Sequence, residues 1–79
     1  MTVRAYILIQ TEVGKATSVA RAVRKIPGVE ESEPVTGPYD VIARATTDTV
    51  EELGRIVVTK VQMVEGISRT LTCPIVSDI

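Results

Sequence analysis

Near the middle of this 79-residue chain, Thr36-Gly37-Pro38-Tyr39-Asp40 gathers the groups best suited to hold a small molecule. Gly37 permits a positive φ and Pro38 fixes the next φ, so these residues predict a rigid bend. A bend of this kind leaves backbone N–H groups pointing outward, where they can receive a carboxylate. Asp40 can hold an ammonium group, with the Tyr39 ring shielding it. Those features are complementary to an α-amino acid. A plain hairpin, with Asp40 bonded to its own backbone, accounts for the same residues, and the chemistry alone leaves both readings open.

The rest of the chain offers little reactive chemistry. Thr70 and Thr72 stand two apart on one face of a predicted strand, as a polar pair for a ligand or simply through β-propensity. The single cysteine, Cys73, excludes an intrachain disulfide; with no histidine to activate it, it reads as a small buried hydrophobe. No thiolate or imidazole cluster exists to hold zinc, so no metal or cofactor is expected. The acidic groups stand singly or as the pairs Glu30-Glu31 and Glu51-Glu52, and none forms a general acid–base pair. Histidine, tryptophan and asparagine, on which the cofactor-free oxygenases and isomerases of small α/β barrels lean, are all absent. One tyrosine on a central strand is too little for an RNA-recognition sheet. A net charge of −1 argues against nonspecific nucleic-acid binding.

Two similar units flank the turn and must position it. Residues 3–10 alternate, with Val3, Ala5, Ile7 and Ile9 facing one way and Tyr6 and Leu8 the other, which predicts a central strand covered on both faces. Ala16, Val19, Ala20, Val23 and Ile26 recur at three and four, predicting an amphipathic helix over 15–25 that Pro27-Gly28 ends. Residues 29–35 carry Glu30, Glu31, Glu33 and Pro34, the marks of an edge strand. A third strand is expected over 41–46. A second helix follows, with Asp48 as N-cap and Glu51 three residues on. Val50, Leu53, Gly54, Val57 and Val61 are expected on its buried face, with Ile56 and Val58 widening it and Met63 as core filler. Val64-Glu65-Gly66 closes it, and 67–75 is the last strand. An offset of 38 residues superposes Val19, Val23, Gly28 and Val29 on Val57, Val61, Gly66 and Ile67.

This βαββαβ order predicts a ferredoxin-like α+β domain: a four-stranded antiparallel sheet with two helices on one face. Seventy-nine residues make one domain, 1–79, whose core is small enough to gain from self-association. Tyr6, Leu8 and Ile42, joined by Leu71 if the register allows, leave an apolar patch on the other sheet face. Packing that patch on its own copy gives a two-fold dimer, a dimeric α/β sandwich. No secretory leader or membrane-spanning run is visible, so a soluble cytoplasmic protein is expected.

The run Val35-Thr36-Gly37-Pro38-Tyr39-Asp40-Val41 and the segments Ile26-Pro27-Gly28-Val29 and Val64-Glu65-Gly66-Ile67-Ser68-Arg69-Thr70-Leu71-Thr72, with the opening strand, carry a resemblance. Together they resemble the effector-sensing (RAM) domain of the Lrp/AsnC, or feast/famine, transcriptional regulators over essentially the whole chain. The resemblance implies homodimers joined through their sheet faces, assembly into tetramers or octamers, and amino-acid effectors bound between dimers. Carried over by position, it assigns Thr36, Gly37, Tyr39, Asp40, Asp48, Thr70 and Thr72 to the ligand, while Pro38 departs from the family pattern and removes a backbone donor. The family's helix-turn-helix domain has no room ahead of a strand that opens two residues after Met1. The expectation is therefore a non-catalytic sensing module without direct DNA binding, acting through mixed assembly with full-length relatives. A purely structural association module, or a small dimeric α/β-barrel enzyme, are the alternatives.

Overall fold

The computed structural model describes residues 2–76. Its elements are β1 (Val3–Thr11), α1 (Ala16–Arg24), β2 (Val29–Pro34), β3 (Val41–Thr47), α2 (Val50–Ile56), a π-helical turn (Val57–Val61) and β4 (Ile67–Pro74). The four strands form one antiparallel sheet in the order β2-β3-β1-β4. The ferredoxin-like arrangement expected from the pattern is therefore the observed fold, with β1 and β3 central and β2 at an edge.

Alternation along the strands builds the core. Ala5, Ile7 and Ile9 of β1 and Val41, Ala43 and Ala45 of β3 are fully or almost fully buried, packed with Val19, Ala20 and Val23 of α1 and Leu53, Ile56, Val57 and Val61 beneath α2. The core is thus aliphatic and lies on one side of the sheet. Gly28 and Gly66, 38 residues apart, both hold positive φ, at 97° and 99°. Each carbonyl accepts a 2.8 Å hydrogen bond from a central strand or its end, Gly28 from Thr46 N–H and Gly66 from Glu12 N–H. The internal duplication is a backbone fact.

The second helix departs from the expected pattern. Its N-cap is Thr49, whose hydroxyl accepts the Glu52 N–H at 3.0 Å, so Asp48 and Glu51 are not the capping pair. A threonine in extended conformation reaches the third N–H without leaving the strand exit, and Thr49–Glu52 has the same three-residue spacing. The helix then widens, with Gln62 N–H donating to Val57 C=O five residues back at 2.9 Å. A wider turn keeps Val57 and Val61 on one inward side and leaves Val58 outside it. Val58 is consequently exposed rather than core; Val50 and Gly54, earlier in α2, are exposed as well, and so is Met63 at 76%.

Register fixes the open face of the sheet. Leu8 pairs with Ile42 on one side and Leu71 on the other, and Tyr6 with Arg44 and Cys73. Leu71 therefore joins Tyr6, Leu8 and Ile42 in a single patch. Cys73, expected to be buried, is exposed because it stands on this uncovered face beside Tyr6.

Candidate functional site

The turn between β2 and β3 is sewn to the end of β1 by hydrogen bonds from three directions. Val35 N–H donates to Asp40 C=O at 2.8 Å, closing the loop on itself. Asp40 N–H donates to Ile9 C=O at 2.8 Å, and the Gln10 side-chain amide donates to Pro38 C=O at 3.0 Å. The Asp40 carboxylate then accepts the Thr11 N–H through Oδ2 at 2.8 Å. Ile9 is the last β1 residue paired with β3, so the Thr11 N–H lies just beyond the end of that ladder. A backbone donor past the end of a ladder must find another acceptor, and Asp40 supplies it.

Asp40 therefore does not bond its own backbone, as a plain hairpin would have it. One carboxylate oxygen fixes the turn against β1. Gly37 sits at φ 137° with open space around it, so backbone conformation rather than crowding accounts for glycine there. Tyr39 is half-buried, while Thr36 and Pro38 are exposed. Pro38 lacks an N–H, and its carbonyl is taken by Gln10.

Thr70 pairs with Ile9, two strands from Val41, and so lies about 10 Å across the sheet from the residue next to Asp40. It faces the helix layer, receives the Gln62 amide on its hydroxyl at 3.1 Å, and borders a cleft of about 400 Å³ with Ile67, Ser68 and Arg69. Thr72 follows on the same face, opposite Ile7. Arg69, which sequence reasoning passed over, pairs with Gln10 at the turn end of the open face. Asp48 lies apart. It follows Thr47 at the other end of the seven-residue β3, roughly 20 Å from the turn. Within one chain, then, the structure gathers the turn, Gln10, Arg69 and Thr70 at one end, and does not bring Asp48 to them.

A second polar cluster occupies the β2 side of the open face. Arg44 lies within 3.4 Å of Glu30 and 3.5 Å of Glu31, and Thr46 donates to Glu30 at 2.7 Å. These glutamates guard an edge strand and also tie it to its neighbour. No group of His, Cys, Asp and Glu side chains among the described residues is placed to hold a metal ion, and no helix there is long and apolar enough to cross a membrane.

The family model for the Lrp/AsnC ligand binding domain matches residues 4–79. The chain belongs to the Lrp/AsnC ligand-binding domain family. An HTH-type transcriptional regulator of Pyrococcus abyssi is 34% identical over 71 residues, covering 86% of this chain and 47% of the regulator. The chain thus spans about half the length of the curated regulators it matches. The crystal structure of TTHA0845 from Thermus thermophilus superposes with a TM-score of 0.91 at 31% identity, covering 98% of this chain and 96% of that one. A Neisseria meningitidis transcriptional regulator, solved as a complex with L-Met, shares the fold at a TM-score of 0.84 and 20% identity, over 98% of this chain and 51% of that one. A homocitrate synthase of Sulfurisphaera tokodaii is 36% identical over 56 residues, only 12% of that enzyme.

Proposed function

We propose that this Lrp/AsnC-type domain senses a small effector, an amino acid, at the β2–β3 turn, and that binding shifts the association of its copies. The observation that carries this reading is the Asp40 carboxylate, held in place through one oxygen by Thr11 N–H and able to receive an ammonium group with the other. A charge fixed before the ligand arrives loses less freedom on binding. Thr36, Gly37 and Tyr39 complete the turn, and Thr70, Thr72 and Asp48 enter from other parts of the chain or from neighbouring copies. The neisserial relative was solved with L-Met, which supports an amino acid as the ligand class. Tyr6, Leu8, Ile42 and Leu71 join two protomers through their open faces, and larger assemblies up to octamers follow from further contacts. Control of transcription in the cytoplasm then runs through assembly with full-length regulators of the family, without catalysis.

One observation favours a second reading, an association module without ligand. The Asp40 carboxylate already has a structural duty at Thr11, and the turn is complete without anything bound.

A thermal-shift screen against the twenty amino acids separates the two. A ligand at about 100 times its Kd adds roughly 2.7 kcal/mol, and about 1 kcal/mol moves Tm by roughly 4–8 °C in a domain of this size. A rise confined to one chemical class supports sensing. No rise with any amino acid supports the association module.

A further inference from the structure

The central turn by itself is poorly supplied to receive a carboxylate. Pro38 has no N–H, and the Asp40 N–H is spent on Ile9 C=O. An amino acid is a zwitterion, so its site needs a partner for the anion as well as the Asp40 charge. The sheet brings a cation to the same end.

Asp40 precedes Val41, which pairs with Ile9, so it stands level with Gln10 one step past the β1–β3 ladder. Gln10 pairs on its other side with Arg69 of β4. Asp40, Gln10 and Arg69 therefore form one row across three adjacent strands, with carboxylate, amide and guanidinium in that order. By alternation the row continues the open face, two residues beyond Ile42, Leu8 and Leu71. Two strand spacings put the Cα atoms of Asp40 and Arg69 roughly 10 Å apart.

The two ends of the row are prepared differently. Asp40 is half-buried, and its carboxylate is held by Thr11 N–H at 2.8 Å. Gln10 is tied between them through its amide on Pro38 C=O. Arg69 is exposed on an edge strand, and among the described residues it makes no ion pair. Arg44, on the same face, is already taken by Glu30 and Glu31.

We propose that Arg69 receives the α-carboxylate of the effector whose ammonium group Asp40 holds, so that the ligand lies across Gln10. This rests on the reading of the turn as an amino-acid site and supplies its anion-receiving half. A guanidinium on a long flexible stem closes part of the span, and its planar fork suits a carboxylate. The site then demands a free α-carboxylate. Amino-acid amides and decarboxylated amines are rejected, whatever side chain they carry.

Isothermal titration of the full chain with the twenty amino acids and their α-amides tests this on wild type, Arg69→Gln, Arg69→Lys and Asp40→Asn. Circular dichroism shows whether each variant is folded. For an amino acid that binds wild type, Arg69→Gln is expected to weaken binding by roughly 10–150-fold, the range for a hydrogen bond to a charged group. Arg69→Lys should lose less, and carries the comparison if Arg69→Gln falls below detection. Wild type should lose a similar factor with the α-amide, whereas the Arg69→Gln variant should bind acid and amide alike. Asp40→Asn should weaken both by the same factor. If wild type binds an amino acid and Arg69→Gln binds it as tightly, or keeps the wild-type preference for acid over amide, the role of Arg69 is overturned and the turn remains the site. If no amino acid binds wild type, both readings fall.

Discussion

The Asp40 carboxylate accepts the backbone N–H of Thr11 at 2.8 Å, joining the central turn to the end of β1 across 29 residues of sequence. The residue best suited to hold a ligand's ammonium group is thus also part of the scaffold. Asp40→Ala removes both duties, so loss of binding in that variant says little by itself. Asp40→Asn keeps an acceptor oxygen for Thr11 and removes only the charge. Hydrogen bonds to charged groups contribute about 1.5–3 kcal/mol. Urea denaturation should show Asp40→Ala destabilised by about that amount and Asp40→Asn by less than half of it; equal losses would show that a neutral amide oxygen does not replace the carboxylate at Thr11.

Thr49, not Asp48, caps the second helix. Thr49→Ala should cost about 1 kcal/mol, within the roughly 0.5–2 kcal/mol range for N-cap removal. Asp48→Ala should cost less than about 0.5 kcal/mol, as for an ordinary surface change. Chemical denaturation of the two variants checks the ranking, and a larger loss at Asp48 contradicts it.

Ser32 faces the core from β2, opposite Ala43, with no exposure and no hydrogen-bond partner for its hydroxyl. A buried hydroxyl left unpaired costs about 1–3 kcal/mol on protein mutational scales. Its carbonyl, which accepts from Arg24, is unaffected by changing the side chain. Ser32→Ala is therefore expected to be neutral or stabilising, by up to about 1 kcal/mol. A thermal midpoint well below wild type would mean that the hydroxyl has a partner.

Leu71 is 48% exposed on the open face, in register with Leu8. Leu71→Glu should leave the fold of a single chain nearly untouched while removing the two-fold packing of sheet faces. Light scattering after size exclusion should then show a smaller assembly than wild type at equal concentration. An unchanged mass would move the dimer contact away from this face.

Much of this architecture is legible in the chain because it is set by local periodicity. Ala5, Ile7 and Ile9 alternate as a strand must, and Val19, Ala20 and Val23 recur as a helix must. Gly28 and Gly66 mark the same bend twice. What the sequence hides is decided at longer range. Whether Leu71 or Thr70 faces the open side depends on one step of register against β1, and no local signal sets it. Cys73 and Met63 are apolar enough for a core, but Cys73 stands on the uncovered face of the sheet and Met63 follows the wide turn out into solvent. Along α2, the wide turn at Val57–Val61 changes the helical period, so a count of 3.6 puts Val58 inside when it is outside. At the site, the bend at Gly37-Pro38 could be read directly, whereas the Asp40 partner could not, because the donor lies 29 residues earlier, just past the end of the β1–β3 ladder.

The central claim is that an amino acid bound at this turn changes how copies of the chain assemble. Sedimentation velocity of wild type and Asp40→Asn, each titrated with the twenty amino acids, measures that directly. Sensing predicts that at least one amino acid shifts the wild-type distribution and that the same amino acid leaves folded Asp40→Asn unmoved. A wild-type distribution that no amino acid alters, or an Asp40→Asn variant that responds as wild type does, would contradict it.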